Sequence, residues 1–132
     1  MNRQSPIIVA VQDKETVKLL SKMNAAVMGA SSDPFYGAPT VLVVLADAHS
    51  KHAVPDGSLV MGNLMNAAKA IGLGSCWINR AKEVFDTDEG KALLKKWGIE
   101  GDYIGIGNCI LGYPDEEPEM KPRKENYVYY VL

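Results

Sequence analysis

The sequence predicts one α/β domain, in which strands alternate with helices along the whole chain. Its 132 residues suit a single domain (1–132) with a buried core. Short apolar runs rich in Val and Ile predict strands, and segments with apolar residues three and four positions apart predict helices between them. Residues 56–71 are apolar on nearly all sides, which predicts a helix buried in the domain or against a partner subunit.

Composition and charge exclude several classes of protein. The formal net charge of -2 argues against a nucleic-acid partner, which favours a basic face. No apolar run approaches the ~18 residues that a membrane-spanning helix needs. Cys76 and Cys109 form no CxxC pair, and no secretory signal precedes them, so we predict free thiols in a cytoplasmic protein.

The first quarter of the chain predicts a strand followed by a helix. Residues 1–6 form a loop, and Ile7–Val11 is an apolar strand that begins unusually early in the chain. Asp13 is a suitable N-cap for a helix from Lys14 to about Met28, because its carboxylate can accept from the first-turn N–H groups. Gly, Ser, Asp and Pro then predict a loop over Gly29–Gly37.

Two residue pairs in the connections allow a structural or a functional interpretation. Phe35 and Tyr36 are large aromatic groups in a polar loop, where they either close the edge of the core or line a pocket. His49 and His52 have a spacing that could suit a metal ion, but no Cys, Asp or Glu cluster accompanies them. We therefore interpret both histidines as exposed loop residues.

The middle of the chain contains the most apolar segments. Pro39–Ala46 predicts a central strand that is buried on both faces. A polar connection, Asp47–Val54, leads to the apolar helix, which Gly72 and Gly74 stop before a short strand at Ser75–Ile78.

The last third predicts a helix and two strands. Asp86 and Glu89 resemble a capping box, which would open a helix that continues through Trp97. The strand Tyr103–Leu111 follows, and its glycines at 105 and 107 would allow close packing on one side. After an extended loop, Tyr127–Leu132 predicts a terminal strand that pairs with an edge of its own sheet or a partner's sheet.

Three segments together resemble the nitroreductase family of FMN-dependent oxidoreductases. Residues 1–6 (Met-Asn-Arg-Gln-Ser-Pro) are similar to the Asn-x-Gln-Pro loop that precedes the family's first strand. Asp56–Ile78 is similar to the family's interface helix and its Gly-Leu-Gly turn. Leu111–Pro114 and Lys121–Arg123 are similar to the terminal Gly-Tyr-Pro and Lys-Pro-Arg elements. The match covers essentially the whole chain.

The resemblance implies a fold, an activity and an assembly. The fold would be a central, mostly antiparallel sheet flanked by helices, with a C-terminal strand that can be swapped onto the partner subunit. The chain would form a homodimer with FMN at the interface. NAD(P)H would reduce the flavin, and a nitro compound, a quinone or a similar acceptor would oxidise it in ping-pong order.

The resemblance also assigns residues to the cofactor, without a catalytic side chain. Lys121 and Arg123 would pair with the phosphate. The first loop would bind the ring and ribityl chain, and the backbone of Gly74 or Ser75 would donate to flavin N5. Cys76 lies near the Gly-Leu-Gly turn, and we interpret it as a small buried packing residue rather than a nucleophile. The cofactor-binding residues implied are Asn2, Arg3, Gln4, Gly72, Leu73, Gly74, Ser75, Lys121 and Arg123.

One departure from the family pattern leaves alternatives open. Family members begin with helices that carry an Arg-Ser-x-Arg type motif for the flavin phosphate, and this sequence starts at the later Asn-x-Gln loop. The alternative hypothesis is therefore a non-catalytic dimeric remnant that keeps the fold with weak or no flavin binding. A third keeps the flavin and changes the reaction, as in relatives that dehalogenate.

Overall fold

Four strands and four helices form the part of the chain, residues 2–132, that the computed structural model describes. The strands and helices largely follow the order that the sequence predicts. Their bounds are β1 Pro6–Val11, α1 Lys14–Met28, β2 Thr40–Asp47, α2 Ala53–Ala70, β3 Gly74–Ile78, α3 Ala81–Asp86, α4 Asp88–Lys96 and β4 Tyr103–Gly112.

The strands form one antiparallel sheet in the order β1-β2-β4-β3. The predicted antiparallel sheet flanked by helices is confirmed. β2 lies in the middle, as its β-branched run predicts, and Val41, Val43 and Val44 have no solvent exposure. β1 and β3 are the two edges of the sheet.

Helices cover both faces of the sheet. α1, α3 and α4 pack on one face, where Leu20, Phe35 and Phe85 are among the buried core residues. α2 packs on the other face, where Met61 contacts a smaller cluster around Val44. None of the helices within residues 2–132 is long and apolar enough to cross a membrane.

Local sequence signals account for the ends of α1. The Asp13 carboxylate accepts a hydrogen bond from the Thr16 backbone N–H at 2.9 Å, as expected of an N-cap. Gly29 ends the helix with a φ of 64°, a left-handed conformation that glycine adopts without steric cost. The predicted bounds of α1 are confirmed.

The predicted start of the following helix, at Asp86, is wrong. Asp86 ends the separate short helix α3, and its carboxylate pairs with Lys82 at 2.6 Å. Thr87 is the N-cap of α4, because it is extended and its hydroxyl accepts from Gly90 N at 3.0 Å. The predicted helix therefore begins one residue later than expected, and the sequence did not predict the short helix α3 that precedes it.

The chain beyond β4 has no helix or strand. Tyr127–Leu132 is exposed, and Val131 and Leu132 retain essentially all of their accessible surface. The prediction that this segment pairs with an edge of its own sheet is wrong, because it contributes no strand to the four-stranded sheet. Its pairing with a partner's sheet stays a prediction.

The glycines of β4 allow close packing, but the prediction that they do so on one side is wrong. Gly105 faces α3 and Gly107 faces Met61 of α2, on opposite faces of the sheet, because the β2–β4 pairing is irregular between them. A Cβ at Gly105 would overlap the carbonyl group of Ala81 at the start of α3. A Cβ at Gly107 would overlap the indole nitrogen of Trp77 on β3.

We expect Gly105→Ala to lower the free energy of unfolding by ~1–3 kcal/mol, because α3 must move away from the sheet. Urea denaturation followed by circular dichroism measures the change. Gly62→Ala is the matched control, since Gly62 faces open space within α2 and alanine favours helix. An unchanged midpoint for Gly105→Ala would contradict the close packing described here.

Candidate functional site

The candidate cofactor site begins where α2 ends. α2 stops at Ala70, and Gly72 follows with a φ of 80°. The N–H groups of Gly72 and Leu73 donate back to the carbonyls of Lys69 and Ala68, at 3.1 and 2.9 Å. These two N–H groups therefore complete the helix terminus, which leaves Gly74 and Ser75 as the donors that could reach a ligand.

The turn opens directly into the edge strand β3. Gly74 pairs with Gly112 and Ser75 with Leu111, and nothing pairs with the other side of β3 within residues 2–132. Successive N–H groups of an edge strand point alternately toward the sheet and away from it. One of the two N–H groups of Gly74 and Ser75 therefore faces the free edge.

Space is available above this turn. A Cβ at Gly72 would meet no atom within 4 Å, so a flat ring can approach the backbone without displacing a side chain. Gly74 is half-buried, and a Cβ there would lie 3.5 Å from the Gly112 carbonyl oxygen and from Pro114. The residues present thus fit a planar group that needs one backbone donor.

The loop Asn2–Gln4 lies at the opposite end of the same sheet. The Asp47 N–H donates to the Ser5 carbonyl at 3.1 Å, and Asp47 pairs with Tyr103 at the start of β4. The Gly74 end is at the other end of β4, a strand of 10 residues that spans ~30 Å. One protomer therefore does not bring the two predicted parts of the site together.

The first loop has an unusual backbone and a polar surface. Gln4 has a φ of 48°, in the left-handed region that is uncommon for residues other than glycine. Asn2, Arg3 and Gln4 are all exposed. Ser5 is 6% exposed, and its hydroxyl has no hydrogen-bond partner within residues 2–132. The structure therefore presents three polar side chains to solvent beside a constrained turn.

The segment that carries Lys121 and Arg123 leaves from the Gly74 end of the sheet. Pro114 lies against Gly74, and Glu117 is 3.5 Å from the Lys69 ammonium group on the last turn of α2. Lys121 and Arg123 are exposed, and the Arg123 guanidinium lies 5.0 Å from the centre of the Tyr127 ring. Both cations are accessible to an anionic ligand, and neither forms an ion pair within residues 2–132.

The interpretation of Cys76 as a buried residue is wrong. Cys76 is exposed because β3 is an edge strand, and its thiol donates to the Trp77 carbonyl at 3.7 Å. Cys109 lies on the central strand β4 instead, where burial raises the pKa of its thiol. The two cysteines remain free thiols, as predicted.

The histidines are outside any metal-binding cluster of residues 2–132. His49 and His52 are exposed, and His49 Nε2 lies 3.6 Å from an Asp102 carboxylate oxygen. No group of three or more His, Cys, Asp or Glu side chains in this range could hold a metal ion.

α2 and the residue that follows it leave several apolar side chains exposed. Met61 and Ala68 are buried against the sheet, but Val54, Leu59 and Ile71 are 57%, 71% and 74% exposed. The apolar composition of this helix therefore exceeds what one protomer buries. Of these residues, Leu59 lies on the side of α2 opposite the buried Met61 and therefore faces away from the sheet.

Sequence reasoning missed the role of Asp33 in the loop before β2. Its carboxylate accepts hydrogen bonds from the Ser21 hydroxyl and from the backbone N–H groups of Phe35 and Gly37, at 2.9 and 2.7 Å for the latter two. Although partial burial acts to raise it, these hydrogen bonds hold the pKa of Asp33 below its ordinary value. The Ser-Asp-Pro sequence, typical of a turn that an Asp side chain organises, was the available signal.

We expect Asp33→Asn to destabilise the protein near neutral pH, because an amide has one acceptor oxygen where the carboxylate has two. The lowered pKa of Asp33 means that its ionised form stabilises the fold above pH ~4, and that this contribution is lost as the pH falls through the folded-state pKa. The difference in unfolding free energy between the two proteins should therefore shrink on acidification. Denaturation at pH 7 and at pH 3 measures it, and a pH-independent difference would contradict this role.

Known structures share this overall fold. A Bacteroides fragilis nitroreductase with bound FMN matches with a TM-score of 0.87 and 22% identity, over 100% of this chain and 79% of that one. An FMN-dependent nitroreductase of Clostridium difficile matches with a TM-score of 0.73 and 27% identity, over 99% of this chain and 79% of that one. The fold thus places the protein in the class of α+β proteins with the nitroreductase fold.

Sequence comparison defines the family. The model of the nitroreductase family matches residues 3–113, and the chain belongs to this family of oxidoreductases. It is also 32% identical over 125 residues to an Archaeoglobus fulgidus protein named NADH dehydrogenase/NAD(P)H nitroreductase, covering 90% of this chain and 67% of that protein. The resemblance inferred from three short segments is confirmed.

Proposed function

We propose that this protein binds FMN and acts as an NAD(P)H-dependent oxidoreductase on nitro compounds, quinones or similar acceptors. The observation that carries the proposal is the Gly72–Ser75 turn, which combines open space with an outward-facing N–H in a chain of the nitroreductase family. The relatives that share the fold include a nitroreductase crystallised with FMN and one named FMN-dependent.

Each part of the proposed site has a chemical reason to contact FMN. Lys121 and Arg123 are accessible cations that suit a phosphate dianion. The Gly74 or Ser75 N–H can donate to the ring near N5, while the half-buried Leu73 offers an apolar contact. Bound FMN would accept hydride from NAD(P)H and pass it to the acceptor in ping-pong order. The protein would orient the flavin ring and supply the positive charges that bind its phosphate.

The proposed site requires a homodimer. Asn2, Arg3 and Gln4 lie at the end of the sheet remote from the glycine turn, so one flavin can contact both only when they belong to different protomers. Leu59, which faces away from the sheet on α2, offers one apolar contact for this assembly. We propose that the C-terminal segment Tyr127–Leu132 then pairs with a sheet edge of the partner, which would cover its apolar side chains.

An absorbance spectrum tests the proposal directly. We expect the purified protein, mixed with excess FMN and passed through gel filtration, to retain a flavin band. Anaerobic addition of NADH or NADPH should bleach that band, and a nitroaromatic compound or a quinone should restore it. A protein that retains no flavin even from excess FMN would contradict the proposal and favour the non-catalytic dimeric remnant.

Sedimentation tests the assembly independently of the flavin. We expect a dimer at micromolar concentration. Leu59→Glu should shift the protein toward monomer, because it introduces a charge at the exposed apolar residue of α2 that faces away from the sheet. Lys91→Glu on α4 is an exposed control that should leave the dimer intact. A monomeric wild-type protein would contradict a site shared between two subunits.

A further inference from the structure

A groove of about 520 Å³ lies between α1 and the loop that precedes β2. Ala38 and Pro39 contribute accessible apolar surface to the wall formed by the loop, and α1 forms the opposite wall. This size falls within the range of small-molecule pockets, ~300–1,000 Å³. The groove is on the sheet face that α1 covers, whereas the proposed flavin turn follows α2 on the other face.

A row of lysines borders the groove. Lys14, Lys18 and Lys22 are four residues apart, which aligns them along one side of α1, and all three line the groove. Within residues 2–132, Lys18 pairs with Glu15 at 3.1 Å, and Lys14 and Lys22 have no acidic partner. The positive charge along this edge is therefore largely available to a ligand.

The wall formed by the loop is held in place before any ligand arrives. Asp33 is the acidic residue among those that line the groove, and both of its oxygens already accept hydrogen bonds from Ser21, Phe35 and Gly37. Because these bonds satisfy the carboxylate, it fixes the loop and does not require a cation from α1. Phe35 is 1% exposed, so its ring anchors the loop against the core.

We propose that this groove binds a small organic anion, with its apolar body against Ala38 and Pro39 and its carboxylate beside the lysines of α1. The apolar lining would bury the body of the ligand, and the three cations would select for negative charge. This proposal goes beyond the oxidoreductase activity and does not depend on bound FMN.

Calorimetry with three small probes tests the chemistry of the site. We expect 2-naphthoate to bind saturably to the flavin-free protein, its neutral analogue 2-naphthalenemethanol to bind more weakly, and acetate, which lacks the apolar body, not to bind measurably. Raising the salt concentration should weaken 2-naphthoate binding, because the lysines are exposed and their charges are screened. Equal binding of the charged and neutral aromatic probes would overturn the proposed role of the lysines.

Charge-matched variants test the location. The triple substitution Lys14→Gln, Lys18→Gln and Lys22→Gln should weaken 2-naphthoate binding roughly fivefold or more, since several exposed charge pairs each contribute modestly. The control substitutes three exposed lysines outside the groove, Lys51, Lys91 and Lys95, by Gln and should bind as the wild type does.

Amide chemical-shift changes on adding 2-naphthoate should map to the loop and to α1. No saturable binding, an equal loss in both triple variants, shifts confined to α2, or displacement of 2-naphthoate by FMN would each overturn the proposal. Failure to bind FMN would not, because this groove is on the other face of the sheet. The two proposals can therefore fail separately.

Discussion

Phe35→Ala is expected to lower the free energy of unfolding by ~3–5 kcal/mol, which is a large part of the stability of a domain of this size. The Phe35 side chain is 1% exposed and belongs to the main core cluster, with residues of α1, α3 and β2. Its removal leaves a cavity beneath a loop that Asp33 holds in a fixed conformation, so the loop cannot easily collapse into the space. The decrease in unfolding free energy should therefore include both the lost burial of the Phe35 ring and the cavity that remains.

The neighbouring aromatic residue supplies a matched control. Tyr36 is 80% exposed and has a φ of 52°, so Tyr36→Ala should change the unfolding free energy by no more than ~0.5 kcal/mol. Chemical denaturation of both variants, with the slope of the transition compared to that of the wild type, measures the difference. Similar midpoints for the two variants would show that Phe35 does not anchor the loop.

The elements that local chemistry determines could be predicted from the sequence. The limits of α1 depend on an Asp side chain that caps its own helix and on a glycine that adopts a left-handed conformation, and both signals lie within the helix's flanking residues. The central position of β2 follows from its unbroken apolar run, since a strand covered on both faces has no polar alternation. These predictions needed no knowledge of distant contacts.

Predictions that depend on distant contacts were less accurate. The break between α3 and α4 arises where Gly90 packs against the backbone of Val84 and Phe85, an approach that no local pattern reveals. The exposure of Cys76 follows from the position of β3 at the sheet edge, which is a property of the strand order. A short apolar strand has the same composition at an edge as in the centre.

The same reasoning applies to the candidate site. The family resemblance groups the Asn2–Gln4 loop with the Gly72–Ser75 turn, and the sequence offers no estimate of their separation. The antiparallel register gives this separation, because β4 runs from the end of the sheet at Asp47 to the end at Gly74. The groove beside α1 also depends on tertiary contacts, since it requires the loop to fold back onto Ser21.

Replacing both Lys121 and Arg123 by Ala is expected to raise the FMN dissociation constant by ~10²–10⁴-fold, if both cations bind the flavin phosphate as proposed. A hydrogen bond to a charged group contributes ~1.5–3 kcal/mol, so two of them amount to ~3–6 kcal/mol. Arg123→Ala alone should raise the constant at least ~10-fold. Fluorescence titration of FMN against each variant measures these changes.

Two further variants separate a specific phosphate contact from a general effect of charge. The double substitution Lys91→Ala and Lys95→Ala removes the same charge from the exposed side of α4 and should leave the dissociation constant unchanged. Arg123→Lys keeps the charge but loses the planar fork that binds two oxygens at once, so its constant should lie between those of the wild type and Arg123→Ala. The α4 double variant could weaken FMN binding as much as the double variant of Lys121 and Arg123. Long-range attraction between charges would then account for the whole effect, and neither Lys121 nor Arg123 would contact the phosphate. If instead only the variants at Lys121 and Arg123 weaken FMN binding, the exposed segment beyond β4 must fold over the cofactor when FMN binds.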